Sequence, residues 1–414
     1  ATAQYILGGS SAQPGATANQ FNAIQGNNGT AWNSTNPFNG ICSTGGVLSD
    51  LRVKVDTAPG SGNTMIYRVW YDGATTNLAV TLTDTETSDS DSVNTVTVAA
   101  GKRLCIRSEP TSTPVNPTSV QWSVKFTPTT DGETIFLSSS STSNTANGSF
   151  HPLIGTRARD TVMSHDSIIL PTSGTVKNLY VECDTTPPAE TSIAFVIRKS
   201  SGGSASDTSV VATITAGNTA ANSGANSFTV AAGDFISVRT DYTGAPTPTP
   251  CHYGITFVPD TSGQFVTCAT TDVTLDNTQA TYTQLTCPIF TVSPTEAIRQ
   301  VLCDAITVKA MYVQLITDPG VGTTWTLNLR DDAADAKDGS NNNMSCSITG
   351  TDNTDNDVRD VTIVQDSELS TCFTPTGSPA TSAVLIGYLF GAADAQQLHL
   401  LVVPLPVPLP VHFF

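Results

Sequence analysis

Basic residues are scarce in this chain: 18 Lys and Arg stand against 35 Asp and Glu in 414 residues, for a net charge of −17 at pH 7. Nucleic acids bind to concentrated basic surfaces, so this composition excludes them as partners. Only 13% of the residues are charged, yet 38% are hydrophobic and fall in alternating runs that can build a core. The composition is typical of an all-β extracellular protein, and the small residues Ala1 and Ala3 suit a mature end left by signal-peptide cleavage.

Recognisable catalytic motifs are also missing. The sequence contains no CxxC, HExxH or GxSxG pattern, and no glycine-rich loop leads from a strand into a helix. His165 stands beside Asp166, but in a loop between repeats, where a solvated pair is expected. We therefore predict that the chain is not an enzyme and needs no organic cofactor. The five histidines are scattered at His151, His165, His252, His399 and His412.

A membrane-spanning segment is excluded as well. The most apolar stretch, at the C-terminus, is shorter than the ~20 residues that a spanning helix needs and carries four prolines. Alternate prolines remove N–H groups from one edge of an extended segment, so the other edge remains able to add to a sheet.

The dominant feature that is present is a long internal repeat. A ten-residue phrase begins at Leu51, Leu179 and Met311, at intervals of 128 and 132 residues. Repeats of this length are whole domains, because solenoid turns and propeller blades are only about 20–50 residues long. A second phrase recurs in step, at 96–102, at 228–234 and in degenerate form at 361–366.

Each repeat has the alternation of half-buried antiparallel strands. Met65, Tyr67 and Val69 share one face in the first repeat, and equivalent apolar triplets occur in the other two. The sequence predicts an all-β fold of three tandem β-sandwich domains, immunoglobulin-like or jelly-roll in type. The predicted domains are residues 1–130, 131–261 and 262–392, followed by an extended apolar tail at 393–414. The short proline-containing linkers predict a semi-rigid rod.

The tail suggests self-association. We expect it to leave its own subunit and dock on the first domain of the next, which would give an open helical filament. The alternative is that the tail folds back over an edge of the third domain. The residues expected at the subunit contact are Trp70, Leu398, Leu400, Val402, Leu405, Val407, Leu409, Val411, Phe413 and Phe414.

Trp70 is included because its equivalents in the other repeats are Arg198 and Arg330, which should face solvent. An exposed aromatic side chain can anchor a subunit contact or stack on a sugar ring. Trp32 lies in a polar stretch and has no assigned role.

Acidic loops offer a possible Ca²⁺ site, because this ion takes 6–8 oxygen ligands. The second repeat lacks such a loop, so solvated acidic side chains are the simpler interpretation. The candidate ligands are Asp84, Glu86, Asp89 and Asp91 in the first repeat and Asp352, Asp355 and Asp357 in the third.

Two covalent modifications are consistent with an extracellular location. The first two repeats each hold two of the nine cysteines, which allows one disulfide in each, whereas buried thiols are the alternative. The disulfide candidates are Cys42, Cys105, Cys183 and Cys251. Four Asn-x-Ser/Thr sequons mark possible glycosylation sites at Asn28, Asn33, Asn147 and Asn343.

The phrases Val55 to Gly60 and Thr97 to Gly101 resemble a repeat of secreted bacterial proteins and of phage tail-fibre or virion-surface proteins. The resemblance is clear in the first two repeats and loose in the third. It implies tandem β-sandwiches with a structural or adhesive role, and it carries no catalytic residues.

We therefore expect a structural protein, the subunit of an extracellular filament or pilus-like fibre that polymerises head to tail through an exchanged terminal strand. The alternatives are a phage tail-fibre or virion-surface protein, and an adhesin whose Trp70 or Trp32 lies in an open glycan-binding groove.

Overall fold

The structure is a computed structural model that describes residues 2–28, 32–35, 40–140, 147–201, 204–247, 249–270, 274–287, 292–296, 299–302 and 304–392. In these ranges the chain is all-β, with six mostly antiparallel sheets and no α-helix. A single turn of 3₁₀ helix occurs at Met163–Asp166. Each sheet takes all of its strands from one repeat, so every repeat contributes two sheets.

The described residues of the first repeat form eleven strands. One sheet has the order β3-β1-β11-β5-β8, with β9 also on β5, and the other has the order β2-β10-β6-β7, with β4 also on β10. The strands are β1 (Gln4–Ser10), β2 (Gln20–Asn22), β3 (Gly26–Asn28), β4 (Gly40–Ile41), β5 (Gly46–Val55), β6 (Gly60–Tyr71), β7 (Ala74–Asp84), β8 (Ser88–Asp91), β9 (Val96–Val98), β10 (Arg103–Thr111) and β11 (Val120–Pro128).

The second repeat has the same topology. Its sheets have the orders β14-β12-β22-β16-β19, with β20 on β16, and β13-β21-β17-β18, with β15 on β21. The strands are β12 (Thr134–Ser140), β13 (Ser149–His151), β14 (Gly155–Arg157), β15 (Ile168–Ile169), β16 (Gly174–Cys183), β17 (Ser192–Ser201), β18 (Ser204–Thr215), β19 (Ala220–Asn222), β20 (Ser227–Val230), β21 (Phe235–Thr243) and β22 (Cys251–Pro259).

The third repeat varies the same plan. Its sheets have the orders β23-β32-β26-β30 and β24-β31-β27-β28, with β25 on β31 and β29 on β27. The strands are β23 (Gln264–Thr270), β24 (Thr281–Thr283), β25 (Gln300–Val301), β26 (Ile306–Leu315), β27 (Gly320–Asp331), β28 (Ala334–Asp335), β29 (Ser345–Gly350), β30 (Thr354–Ile363), β31 (Glu368–Thr376) and β32 (Val384–Ala392).

The predicted alternation of buried and exposed residues is confirmed. Met65, Tyr67 and Val69 on β6 are at most 2% exposed, and the equivalent residues of β17 and β27 are equally buried. Each of the three cores combines side chains from both sheets of its repeat, such as β5 and β6 in the first. Alternation places one face of every strand in the core because side-chain direction has a period of two.

Turn chemistry explains the longest hairpin of the first repeat. Asp72 and Gly73 are the two residues between the paired ends of β6 and β7, and both have positive φ, 48° and 78°. This is the condition for a type I′ turn, whose twist matches that of antiparallel strands. The Asp-Gly pair thus sets the register that buries one face of β6.

Candidate functional site at the repeat junctions

The opening strand of each repeat packs side chains onto the core of the preceding repeat. Strand β12 contributes to the first core, β23 contributes to the second, and β1 contributes to the third. The three repeats therefore close into a ring through equivalent head-to-tail junctions, and the predicted rod is wrong. We call these junctions first (repeats 1 and 2), second (2 and 3) and third (3 and 1). The buried pairs are Ile135 and Leu137, Val266 and Cys268, and Tyr5 and Leu7, respectively.

At each junction a two-residue strand of the preceding repeat also packs against the following repeat. The carbonyl oxygen of Ile41 in β4 lies so close to Gly254 that a Cβ atom there would be 1.7 Å away. In the second junction the carbonyl of Ile169 would be 2.5 Å from a Cβ atom at Gly387. In the third junction β25 packs on β11, where the equivalent residue is Ser123. At the first two junctions the two backbones are therefore closer than a side chain at the glycine position would permit.

Amide side chains complete the first junction. Gln4 both accepts a hydrogen bond from the N–H of Ile135 and donates one to its carbonyl oxygen, each at 2.8 Å. Gln25 accepts the N–H of Leu137 at 2.6 Å. The first repeat thereby satisfies main-chain groups of β12 that would otherwise be buried without partners.

A loop of one repeat meets a strand of the next at every junction, but with different chemistry. In the first junction Gly101 faces the Tyr180 ring, and in the second Gly233 faces Tyr312. In the third junction the same positions hold Asp366 and Arg52, which form an ion pair of 2.7 Å. Aromatic packing is thus replaced by charge where the ring closes.

A neighbouring ion pair has opposite polarity at two junctions. At the first junction Arg103 of the first repeat binds Glu182 of the second at 3.0 Å. At the third junction the equivalent of Arg103 is Glu368, and it binds Lys54 at 2.9 Å. The acidic partner therefore lies on the following repeat in one case and on the preceding repeat in the other.

The second junction carries no charge at these two positions, which hold Phe235 and Gln314. Exchanging repeats would place like charges or an unpaired charge at a junction, and such contacts are disfavoured by several kcal/mol. The charges of the first and third junctions are thus complementary in the observed order of the repeats.

The third junction is the most polar of the three. Lys125 binds Asp304 at 3.2 Å, and the same carboxylate accepts a hydrogen bond from the hydroxyl of Tyr5 at 3.0 Å. Gln121 donates to Glu368 at 3.1 Å. Because the third and first repeats are not consecutive, no short linker holds this junction, and these contacts carry more of its specificity.

Two carboxyl groups of the third junction have lowered pKa values. Burial alone would raise the pKa of Glu368, but hydrogen bonds with Lys54 and Gln121 outweigh burial and hold that pKa below its usual range. Burial likewise opposes ionisation of Asp304, and the hydrogen bond from Tyr5 helps to lower its pKa. Both groups are therefore ionised in the closed ring.

We expect acid to weaken the third junction. A carboxyl with a lowered folded-state pKa stabilises the fold above its ordinary pKa of about 4, and this stability is lost as the pH falls from that ordinary value through the lowered one. The melting temperature should therefore fall less steeply between pH 5 and pH 3 in Glu368→Gln than in the wild type. Equal pH slopes for the two proteins would contradict the role given to Glu368.

The described histidines have partners in the fold. His151 is fully buried, and burial, helped by the charge of Arg159, lowers its pKa to about 3. His165 binds Asp160 at 2.9 Å and not its neighbour Asp166, which is buried against Arg157. The predicted solvated pair at 165–166 is therefore wrong, because the two side chains turn to different partners. His399 and His412 lie outside the described residues.

The acidic loops satisfy main-chain groups. Asp91 accepts the N–H groups of Val93 and Asn94 in its own turn, and Asp357 accepts the N–H of Ser345. In the described part of the chain, no three His, Cys, Asp or Glu side chains come together in a group that could hold a metal ion. The calcium site stays a prediction from the sequence. The other candidate residues, Asp84, Glu86, Asp89, Asp352 and Asp355, also lie in the described part of the chain.

The two tryptophans differ in their surroundings. Trp70 is half-buried on its sheet: the Phe21 ring centroid is 5.4 Å away, and the Arg107 guanidinium carbon is 4.5 Å above the indole. Trp32 is buried at 5% exposure in the first core and donates its indole N–H to the carbonyl of Ala12 at 3.1 Å. Trp32 is therefore a core residue and not the floor of a glycan groove.

Three sequons can be placed. Asn33 accepts hydrogen bonds from Thr35, Asn147 is exposed and accepts the N–H of Tyr242, and Asn343 donates its amide to Asp335. Of these, Asn147 is the most accessible for glycosylation, which stays a prediction. The side chain of Asn28 is outside the described part of the structure.

The four disulfide candidates are all buried. The N–H of Cys42 binds the carbonyl of Lys102, three residues before Cys105, so these two cysteines are not opposite each other. Cys183 and Cys251, in contrast, are directly paired across β16 and β22.

Comparison with known proteins gives no identification: the chain matches no known protein family, and no curated protein is significantly similar to it. The resemblance to secreted bacterial and phage proteins therefore rests on the sequence phrases alone. No helix in the described ranges is long and apolar enough to cross a membrane. The predicted contact residues of the tail, 398–414, are outside the described ranges.

The residues that form the junctions are not among the candidate residues predicted from the sequence. Arg52, Lys54, Arg103 and Glu368 all lie in or beside the repeated phrases. The available signal was that these positions change charge from one repeat to the next. Positions that differ in charge among otherwise similar repeats mark contacts that are specific to one neighbour.

Proposed function

We propose that the chain is a structural protein, the subunit of an extracellular filament or fibre, whose copies associate through the contacts of the third junction. The observation that carries this proposal is that one head-to-tail contact is used three times, and only at the third junction are its two partners not consecutive in the chain. The same contact can therefore be made between two copies.

Symmetry explains how one contact can give either a closed ring or an open helical filament. A head-to-tail contact joins two different surfaces. When it is repeated, it gives a closed ring if the rotations between successive units add up to a full turn, and otherwise it gives a helix. A small axial shift at each junction would open the ring into a helical turn of three repeats. In that open form β1 would pack on the third repeat of the neighbouring subunit, as an exchanged terminal strand does.

We also propose a fold for each repeat. We infer that the two sheets of a repeat pack face to face as an antiparallel β-sandwich of immunoglobulin-like or jelly-roll type. The support is that each core draws buried side chains from both sheets, such as Leu48 and Val53 on β5 with Tyr67 and Val69 on β6. Such domains would give the subunit rigid surfaces for assembly.

A second candidate function is a virion-surface or tail-fibre protein. It is favoured by the closed ring itself, because three equivalent repeats around one axis match the outline of a trimer and would fit a threefold site on a larger particle. In this case the ring would stay closed, and each subunit would act as a ready-made trimer.

Electron microscopy of the native protein, beside a variant ending at Gln397, tests the proposal. We expect filaments from the full chain. Filaments that persist after truncation would assign the joint to the third junction, whereas filaments lost on truncation would assign it to the predicted tail strand. Discrete particles from both proteins, over a range of concentrations, would overturn the filament and favour the virion-surface candidate.

A further inference from the structure

Cys183 and Cys251 lie directly opposite each other on the neighbouring antiparallel strands β16 and β22. Asp184 donates its N–H across this strand pair to Pro250 at 3.1 Å, whereas Cys183 donates its N–H in the other direction, to Thr219. Cys183 and Cys251 therefore form a non-hydrogen-bonded pair. In such pairs the Cα atoms are about 4.5 Å apart and the side chains are at their closest.

This separation falls in the range of about 4.4–6.8 Å between Cα atoms that a disulfide bridges. Both side chains are at most 1% exposed and point into the core of the second repeat. The two sulfur atoms therefore share one face of the sheet and one dry environment.

The other repeats show what this position normally holds. The same register pairs Val55 with Val120 in the first repeat and Leu315 with Val384 in the third. In the second repeat both members of the aliphatic pair are cysteine. A single cysteine would be an ordinary small apolar residue, but two that replace facing partners together indicate a bond between them.

We propose that Cys183 and Cys251 form a disulfide that links β16 to β22. This inference is independent of the proposed function. The structure carries both residues as thiols, so the bond requires an oxidant, which we take to be a small-molecule disulfide such as oxidised glutathione. One cysteine thiolate attacks this disulfide and releases one glutathione; the other cysteine then displaces the second glutathione. Two protein thiols and one oxidised glutathione thus give one protein disulfide and two reduced glutathiones.

Burial sets the time at which this reaction takes place. Neither sulfur is accessible in the folded core, so the oxidant must reach them while the second repeat is folding. Once formed, the bond is shielded from external reductants and should survive dithiothreitol until the repeat unfolds.

The test uses the full chain, folded in a buffer containing reduced and oxidised glutathione. After denaturation, unreacted thiols are alkylated, and a non-reducing digest is analysed by mass spectrometry. We expect one linked peptide pair containing Cys183 and Cys251, and alkylated Cys42 and Cys105. The matched control is Cys183→Val with Cys251→Val, which restores the Val pair of the first repeat and should fold with the same circular dichroism spectrum.

Thermal unfolding provides the second measurement. Heating with dithiothreitol should lower the melting temperature of the wild type by roughly 5–15 °C, because reduction frees a long loop in the unfolded chain. The double Val variant should melt at the same temperature with or without the reductant. Quantitative alkylation of Cys183 and Cys251 after oxidative folding, or a link from either one to a different cysteine, would overturn the proposal.

Discussion

Chains carrying Lys54→Glu and chains carrying Glu368→Lys should assemble with each other more readily than with themselves. In either variant alone, the closed ring places like charges at the third junction, where the wild type has an ion pair of 2.9 Å. When the two variants are mixed, one contact between chains restores the native pair. The other contact has the reversed order of charges, which is the order that Arg103 and Glu182 have at the first junction.

Native mass spectrometry with one variant isotopically labelled measures this effect. We expect mixed assemblies to exceed self-assemblies by at least tenfold, since like charges at a specific contact cost several kcal/mol and 1.4 kcal/mol is a factor of ten. Lys54→Glu with Glu368→Lys in one chain is the control, and it should associate with itself to the same extent as the wild type. Folded single variants that stay monomeric when mixed would exclude the third junction as an assembly contact.

This experiment separates the junction from the tail. Both substitutions are on the ring, so their effect does not depend on residues 393–414. If mixed assemblies form, the ion pair that closes the third junction within one chain also selects the partner between chains. Electrostatic complementarity of this kind contributes more to specificity than to affinity, and the apolar side chains of β1 would supply most of the binding energy.

Much of the fold could be predicted from the sequence. Alternation in β6 identifies Met65, Tyr67 and Val69 as core residues, and the structure confirms their burial. The signal is strong because a strand with one buried face must repeat with a period of two. The repeated phrases likewise predict three similar units, and the described strands of the three repeats follow nearly the same order.

The arrangement of the repeats could not be predicted in the same way. Alternation reports that a side chain is buried, but it does not report which core covers it. Tyr5 and Leu7 read as part of the first repeat, yet they pack in the core of the third. Short linkers predict a rod, but a short linker is equally compatible with a one-third turn between neighbours.

The surroundings of individual side chains could not be predicted from residue type alone. Trp32 lies in a polar stretch of sequence, and the structure places it against Tyr67 and Trp122 in the first core. The charge of the acidic loops predicts a calcium site, whereas in the structure Asp91 accepts hydrogen bonds from main-chain N–H groups of its own turn. Local composition cannot distinguish a carboxylate that accepts hydrogen bonds within its own turn from one that binds a metal ion.

Gly254→Ala should be the most destabilising single-methyl change at the junctions. Alanine is normally the better residue in a strand, because glycine loses more backbone entropy on folding. At residue 254 the added Cβ would lie 1.7 Å from the carbonyl oxygen of Ile41. That carbonyl cannot easily retreat, since β4 is held by its pairing with β10 and by the hydrogen bond from Cys42 to Lys102 at 2.8 Å.

The equivalent positions provide a graded control for this prediction. A Cβ at Gly387 would be 2.5 Å from the carbonyl of Ile169, and Ser123 already carries a Cβ at the third junction. Overpacking of this kind costs about 1–3 kcal/mol, and more where the backbone cannot move. Thermal unfolding should therefore rank Gly254→Ala as the most damaging, Gly387→Ala as intermediate and Ser123→Ala as nearly neutral. If Gly254→Ala melts no lower than Ser123→Ala, the close backbone contact at the first junction does not stabilise the ring.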